Sequence, residues 1–295
     1  MNKYEKIFAV SVMTLCGVYV VERRVIERNK QQEQQQAVEN DALIEQGGGK
    51  EKQEGKGGKV FDAFQRQYLL VYFLATLADW LQGPYVYMLY QSYGFQAGEI
   101  AQLFVGGFGS SMLIGTFVGG LADKYGRKLM CNAYALFYIL GCGTKLYNNY
   151  NILMMGRIFS GIATSLLYSV FEAWMVSEHF KNGYTQKQLE STFSRATLGN
   201  GIVAVSAGII SSFGVKKYGY VSPFVMAIAP LVALSAYVTV TWNENYGDKK
   251  SSSFQSISQA LHVVVKNMNI ILIGIAQSSF EGAMFIFIFM WTPAL

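Results

Sequence analysis

Long apolar runs alternate with short polar segments along this chain. A first run covers residues 7–21, a polar segment follows at 22–65, and seven further runs complete the sequence. Those seven runs lie at about residues 66–90, 98–122, 127–146, 150–178, 190–213, 221–242 and 268–295. A helix that crosses a bilayer needs about 20 mainly apolar residues, and backbone that faces lipid must satisfy its hydrogen bonds internally. The pattern therefore predicts an all-α membrane protein with seven spans after an N-terminal anchor helix.

The first 65 residues divide into two predicted parts. Residues 1–21 are interpreted as an uncleaved membrane anchor, because no small-residue cleavage pattern follows the apolar run. Residues 22–65 contain the stretches NKQQEQQQ and GGGKEKQEGKGGK. Such composition cannot bury enough apolar surface to offset chain entropy, so this segment is predicted to be a disordered tether. Basic residues favour cytoplasmic loops, and four that follow the anchor place the tether inside: Arg23, Arg24, Arg28 and Lys30.

Charges in the later loops give an independent orientation. With the loop at 122–127 in the cytoplasm, the basic residues on the inner side are Lys124, Arg127, Lys128, Lys181, Lys187, Lys249, Lys250 and Lys266. Those on the outer side are only Lys145, Lys216 and Lys217. This asymmetry agrees with the orientation deduced from the first segment.

Composition supports the membrane class and excludes others. Hydrophobic residues make up 52% of the 295 residues and charged residues 15%, whereas soluble proteins carry about 25% charged residues. The net charge of +5 is spread over loops, so no nucleic-acid partner is predicted. The three cysteines lie in apolar runs without a metal-binding spacing. No metal, cofactor or enzyme activity is predicted, because His-rich boxes, paired membrane aspartates and phosphate-binding glycine loops are absent from the sequence.

The second of the seven runs ends in a charged stretch, GGLADKYGRKLM at residues 119–130. Small residues and an acid recur at every fourth position along this helix: Gly107, Ser111, Gly115, Gly119 and Asp123. Such a ridge allows another helix to approach closely, so one interpretation is static packing. The other is a latch, because a carboxylate at the membrane edge can accept hydrogen bonds from the N-terminus of a neighbouring helix.

This stretch resembles the signature loop between the second and third helices of the major facilitator superfamily. The resemblance implies a latch that closes the cytoplasmic side when the transporter faces outward. Its members in this chain are Gly119, Asp123, Gly126, Arg127 and Lys128. The motif alone is typical of a superfamily and names no substrate.

Longer stretches are similar to the molybdate-anion transporter family of that superfamily. They are ADWLQGPYVYMLYQSYGF (78–95), GRIFSGIATSLLYSVFEAW (156–174), STFSRATLGN (191–200), WNENYGD (242–248) and FEGAMFIFIFMWTPAL (280–295). The resemblance implies an N-terminal six-helix half at 66–242, a cytoplasmic inter-half loop at 243–267 and the first helix of the second half at 268–295. Superfamily members have two six-helix halves around a central path, so the chain is interpreted as a fragment of a longer transporter. Molybdate as cargo and the plasma membrane as location are also implied.

Ionisable residues inside predicted spans are costly and are therefore functional candidates. In the fourth run, Arg157, Tyr168 and Glu172 share one helical stripe, which predicts a face toward an aqueous path; a structural polar network is the alternative. With a rise of about 1.5 Å per residue, Glu172 and Arg195 form a predicted inner tier. Asp79 and Glu281, with Arg157, form a central-to-outer tier.

A doubly charged oxyanion such as molybdate needs cations and hydrogen-bond donors. The predicted substrate contacts are Arg157, Arg195, Gln82, Tyr168 and Gln277. The predicted coupling or gating groups are Asp79, Glu172 and Glu281, because desolvated carboxyl groups take up protons readily. These residue assignments come from physical reasoning and not from the resemblance.

Two alternatives to molybdate uptake stay open. The first is transport of another small solute, because one scaffold serves many cargoes. The second is a membrane receptor or adaptor that does not transport, which an incomplete path and a long tether would suit.

Overall fold

The computed structural model describes residues 51–247 and 262–294, and it describes side chains for 59–247 and 262–290. The predicted anchor at 1–21, the tether as far as residue 50 and much of the loop at 243–267 lie outside the described residues. Where it is described, the chain is built from long α-helices, as the apolar runs predict.

The helices follow one another through short connections. Helix α1 covers Glu51–Gln82 and continues through a 3-10 turn at Gly83–Tyr85 into α2, Val86–Ser92. The later helices are α3 (Ala97–Tyr125), α4 (Arg127–Thr144), α5 (Tyr150–Leu167), α6 (Val170–Lys181), α7 (Gln186–Tyr218), α8 (Ser222–Thr241) and α9 (Met268–Ala294). Five segments of the described chain are long and apolar enough to cross a membrane: Ala97–Tyr125, Tyr150–Lys181, Gln186–Tyr218, Ser222–Thr241 and Met268–Met290. The all-α membrane class is therefore confirmed.

Helix α1 begins at Glu51 and not at residue 66. Residues 51–65, which the composition assigned to the tether, are helical in the described structure, so the helix includes residues before the predicted start at 66. The reason is tertiary: Phe61 is only 7% exposed and packs edge-on against His179 and Tyr184. Aromatic burial of this kind stabilises a helical turn whose own polar sequence would not hold it.

The helices form a bundle in which most have defined neighbours. Helix α3 packs on α5, α5 on α4, α4 on α8, α8 on α1, and α1 on α7. Helix α9 touches this bundle through a few aromatic residues; Phe289 meets Tyr87 of α2 and Phe104 of α3, each at 5.6 Å between ring centroids. The other α9 side chains described, at 268–290, are exposed except for the half-buried Ile271.

Small residues bring α3 and α5 close together. A Cβ on Gly161 would overlap the carbonyl oxygen of Gly107, and one on Gly115 would lie 3.1 Å from the hydroxyl of Ser165. Close approach of this kind stabilises helix pairs in a bilayer, where the hydrophobic effect gives no drive for association. The static-packing interpretation of the ridge is confirmed as far as Gly115. At Gly119 a Cβ would meet no described atom within 4 Å.

Two breaks interrupt the predicted spans. The first is the 3-10 turn at Pro84, where proline removes a backbone donor, as the sequence predicts. The second divides the run at 150–178 into α5 and α6 at Tyr168 and Ser169, where neither proline nor glycine stands. There the Ser169 hydroxyl donates to the carbonyl of Ser165 at 2.7 Å, a side-chain bond of the type that bends helices.

Candidate functional site

The loop between α3 and α4 is held by the segment that follows α8. Gly126 joins the two helices with φ +109°, a conformation that glycine adopts without a steric penalty. The carboxylate of Glu244 accepts hydrogen bonds from the backbone N–H groups of Lys128, at 2.8 Å, and Leu129, at 3.1 Å. An acid therefore does bind a helix N-terminus here, as the hinge pattern predicts, but the acid is Glu244.

Asp123 has a different partner from the one predicted. Its Oδ1 accepts a hydrogen bond from Nη2 of Arg127 at 2.7 Å, one helical turn away, and not from the N-terminus of another helix. The other arm of Arg127 donates to the carbonyl of Ala173 at 3.2 Å. The ammonium of Lys128 donates to the carbonyl of Thr239 at 2.9 Å. The loop is thus tied to α6 and α8, and the latch predicted for Asp123 stays a prediction.

Aromatic packing completes this end of the bundle, which the loop charges predict to be cytoplasmic. Trp174 of α6 stacks on Trp242 with ring centroids 3.6 Å apart and planes 9° apart, and its indole N–H donates to the carbonyl of Asn243 at 2.8 Å. The Asn245 side chain donates to the carbonyl of Trp174 and to a Glu178 oxygen, each at 3.2 Å. We call this set the cytoplasmic clasp: Asp123, Gly126, Arg127, Lys128, Trp174, Trp242, Glu244 and Asn245.

Asp79 lies on α1 and faces α4. The hydroxyl of Tyr138 donates a hydrogen bond to its carboxylate. One turn earlier on α4, Tyr134 donates to the carbonyl of Ala75 at 2.9 Å. Asp79 forms no ion pair with Arg157 among the described residues, and the central-to-outer tier stays a prediction.

Arg157 lies between α5 and α3. Its Nε donates to the carbonyl of Leu103 at 3.1 Å, and its guanidinium lies 4.7 Å from the ring centroid of Phe104. Gly107 leaves the space, because a Cβ there would come within 2.8 Å of the guanidinium nitrogens. The role of Gly107 is therefore to admit this cation as well as to admit the neighbouring helix.

Tyr168 lies at the break between α5 and α6 and is 64% exposed. Asp79 and Glu281 both lie within electrostatic range of its hydroxyl. On α9, the Gln277 amide donates to the Glu281 carboxylate at 2.9 Å, the pair that their spacing predicts. Predicted residues of α1 and α9 thus act electrostatically on the helix break.

The predicted inner tier is not formed as an ion pair. Arg195 donates to the side-chain oxygen of Gln65 at 2.5 Å, and Gln65 donates to Thr192 at 2.9 Å. Glu172 is exposed in the first turn of α6 and interacts electrostatically with Tyr72. Sequence reasoning missed Gln65 because it assigned this residue to the tether; the nearby Phe61 and Phe64 were the available signal.

Two further side chains differ from their predicted settings. Gln82 is only 5% exposed, and its amide donates to the carbonyl of Ala78 at 3.0 Å, within its own helix. Lys145, which the charge count placed in an outer loop, is 1% exposed. Its position directly after an apolar run gave no signal of burial, because loop lysines follow such runs as well.

Comparison with known proteins agrees with this architecture. Residues 41–295 match a family described as sugar transporters with 12 transmembrane segments. The chain is 39% identical over 243 residues to the molybdate-anion transporter of Xenopus tropicalis (81% of this chain, 53% of that protein). It is 39% identical over 244 residues to that of Xenopus laevis (81% and 53%) and 34% identical over 262 residues to that of Takifugu rubripes (80% and 55%). The chain spans about half the length of the curated relatives it matches.

Proposed function

This chain belongs to the molybdate-anion transporter family of the major facilitator superfamily, and from that premise we propose that it carries molybdate into the cell. Transport occurs by alternating access at the plasma membrane. The curated relatives named above carry this anion in their names, which supports the cargo. The multi-pass helical bundle supports the mode of action.

The observation that carries the proposal is the helix break at Tyr168, whose hydroxyl lies within electrostatic range of Asp79 and Glu281. Interrupted helices with freed backbone groups are typical binding sites of secondary transporters. The described partners of both carboxylates are uncharged, namely Tyr138 for Asp79 and Gln277 for Glu281. These acids are thus free to gain or lose a proton without breaking an ion pair.

The negative charge of molybdate favours coupling of its transport to protons. Molybdate carries two negative charges, so ionised carboxylates at the path repel it. Protonation of Asp79, Glu172 and Glu281 removes that repulsion, and the anion therefore moves together with protons. Arg157 and Arg195 supply the cationic contacts, and Gln82, Tyr168 and Gln277 supply neutral donors or acceptors as the helices rearrange.

The cytoplasmic clasp serves as the inner gate in this scheme. It connects the exit of α8 to the α3–α4 loop and to α6, so it stiffens the cytoplasmic end of the bundle. Its contacts are directional hydrogen bonds to backbone groups. They hold one arrangement of helices and are lost together when the helices rotate apart.

Uptake of labelled molybdate by cells that express the protein tests the proposal. We expect Arg157→Ala and Arg195→Ala to lower uptake by at least tenfold. The control Arg66→Ala removes an exposed arginine of α1 and should leave uptake unchanged. Arg157→Lys keeps the charge but not the planar fork, so it separates loss of binding from loss of folding; size-exclusion profiles monitor the folded fraction.

The possible outcomes test the identity of the cargo and the role of the two arginines separately. Uptake that persists unchanged in both arginine variants would refute these two contacts. Wild-type uptake no higher than in cells without the protein would refute molybdate as the cargo.

A further inference from the structure

Lys145 is a buried cation without an acidic partner among the described residues. It follows the last residue of α4 and is 1% exposed. Its ammonium donates to the carbonyl of Gly141 at 3.2 Å and lies 5.3 Å from the ring centroid of Phe224. An ammonium has three N–H donors, so this environment leaves donor capacity unused. Burial of an ion without a counter-ion is strongly unfavourable.

A second cation lies close to the first. Arg157 exerts electrostatic repulsion on Lys145. No carboxylate of the described residues lies within 4.0 Å of either side chain. The fold therefore holds two positive charges near each other in a setting that disfavours each of them separately.

Tyr90 of α2 adds a buried hydroxyl beside Arg157. Its side chain is fully buried, at 0% exposure, and the hydroxyl donates its proton to no acceptor in the described structure. Arg157 interacts with this hydroxyl electrostatically and as a hydrogen-bond donor, which places the two groups together. A buried O–H group without an acceptor forgoes the energy of that hydrogen bond unless a ligand supplies one. Nearby, Tyr93 donates to the carbonyl of Lys145 at 2.6 Å and holds α2 over the end of α4.

We propose that Tyr90, Lys145 and Arg157 form a binding site for a doubly charged tetrahedral oxyanion at the outer end of the bundle. Two cations against a dianion leave no net charge, which removes the repulsion between Lys145 and Arg157. The guanidinium offers two parallel N–H donors, the ammonium offers its spare protons, and the phenol offers one O–H. This site is separate from the carboxylates around Tyr168. The inference deepens the proposed function and rests on it for the choice of molybdate.

Calorimetric titration of the purified protein in detergent micelles tests the site. The probes are sodium molybdate and sodium sulfate, titrated at constant ionic strength. We expect Lys145→Met to weaken binding of both dianions at least tenfold and Tyr90→Phe to weaken it about threefold, because the latter removes one hydrogen bond. The matched controls Lys216→Met and Tyr147→Phe change exposed residues on the same side and should bind like the wild type.

Thermal unfolding supplies a readout that a purely structural lysine would not give. Without dianion, Lys145→Met should unfold at a higher temperature than the wild type, because it removes a buried, repelled charge. Saturating molybdate should raise the wild-type midpoint and not that of the variant. If Lys145 only supports the helix end, the variant unfolds earlier in both conditions and binds normally, which overturns the inference.

The outcomes for the site and for the transport function are distinguishable. If Tyr90→Phe and Lys145→Met weaken dianion binding but the wild type takes up no molybdate, the binding site is supported and the transport function is contradicted. Uptake by a protein whose binding ignores both substitutions, or a wild type that binds neither dianion, overturns the site.

Discussion

The cytoplasmic clasp and the surface around Tyr168 handle charge in opposite ways. Both ion pairs observed among the described residues lie in or beside the clasp, Asp123 with Arg127 and Glu178 with Lys181. Around Tyr168, by contrast, Asp79 meets a tyrosine and Glu281 meets a glutamine. Paired charges fix an arrangement, whereas a charge with a neutral partner can change its protonation at little structural cost. The difference supports the proposed division, in which the first region holds the fold and the second takes part in proton exchange.

A glycine substitution should break the clasp most severely. Gly126→Ala places a Cβ 2.5 Å from the carboxylate carbon of Glu244 and forces alanine to φ +109°. We expect a loss of about 3 kcal/mol in the free energy of unfolding, since strained backbone positions cost of this order. Denaturant-induced unfolding in micelles measures it. The control Gly119→Ala meets no atom and should be neutral or stabilising, so equal losses in both variants would contradict the contact.

Removal of the capping acid should have the next largest effect. Glu244→Ala deprives the backbone N–H groups of Lys128 and Leu129 of their acceptor, with an expected loss of about 2 kcal/mol. Glu244→Gln retains one acceptor oxygen and should lose roughly half as much. The same unfolding assay applies, with Glu190→Ala as an exposed control expected to stay within about 0.5 kcal/mol of wild type. An unchanged free energy of unfolding in Glu244→Ala would show that this part of the clasp does not stabilise the fold.

A smaller effect is expected around the buried acid of α1. Tyr138→Phe removes the hydroxyl that donates to Asp79, and the expected loss is about 1 kcal/mol. In a double-mutant cycle with Asp79→Ala, which removes the acceptor, the two losses should not add, because both substitutions remove the same bond. Strict additivity would show that the two side chains do not interact.

The smallest effect on stability should come from Glu172. Its carboxylate is exposed and forms no hydrogen bond or ion pair in the described structure, so Glu172→Gln should alter unfolding by less than about 0.5 kcal/mol. If this acid contributes to proton coupling, the same variant lowers molybdate uptake severalfold and flattens its dependence on external pH. Wild-type uptake across the pH range would remove Glu172 from the coupling set.

Local pattern accounts for much of this molecule before any tertiary information. Helix length follows from the apolar runs, the break at Pro84 from proline chemistry, and the Gln277–Glu281 contact from spacing on one helix. The ion pair of Asp123 with Arg127 has the same local origin, since four residues separate them. Each of these contacts is set within about one helical turn.

Longer-range partners were beyond such reasoning. Glu244 reaches Lys128 across 116 positions, and Gln65 reaches Arg195 across 130. The residue pattern of either segment does not indicate which distant residues it will contact. The resemblance of the GGLADKYGRKLM stretch to a latch identified the right loop, yet the acid that caps its helix comes from a different part of the chain.

The sequence by itself therefore determined the membrane class, the helix positions, the family and the set of ionisable residues inside the bundle. Tertiary structure alone decided which neutral or charged group each of them meets, that Lys145 is buried, and that the fourth span breaks at Tyr168. The physical reason is the sequence separation over which each interaction acts. Hydrophobic burial and backbone geometry act over one or two turns, whereas the partner of a side chain depends on how whole helices pack.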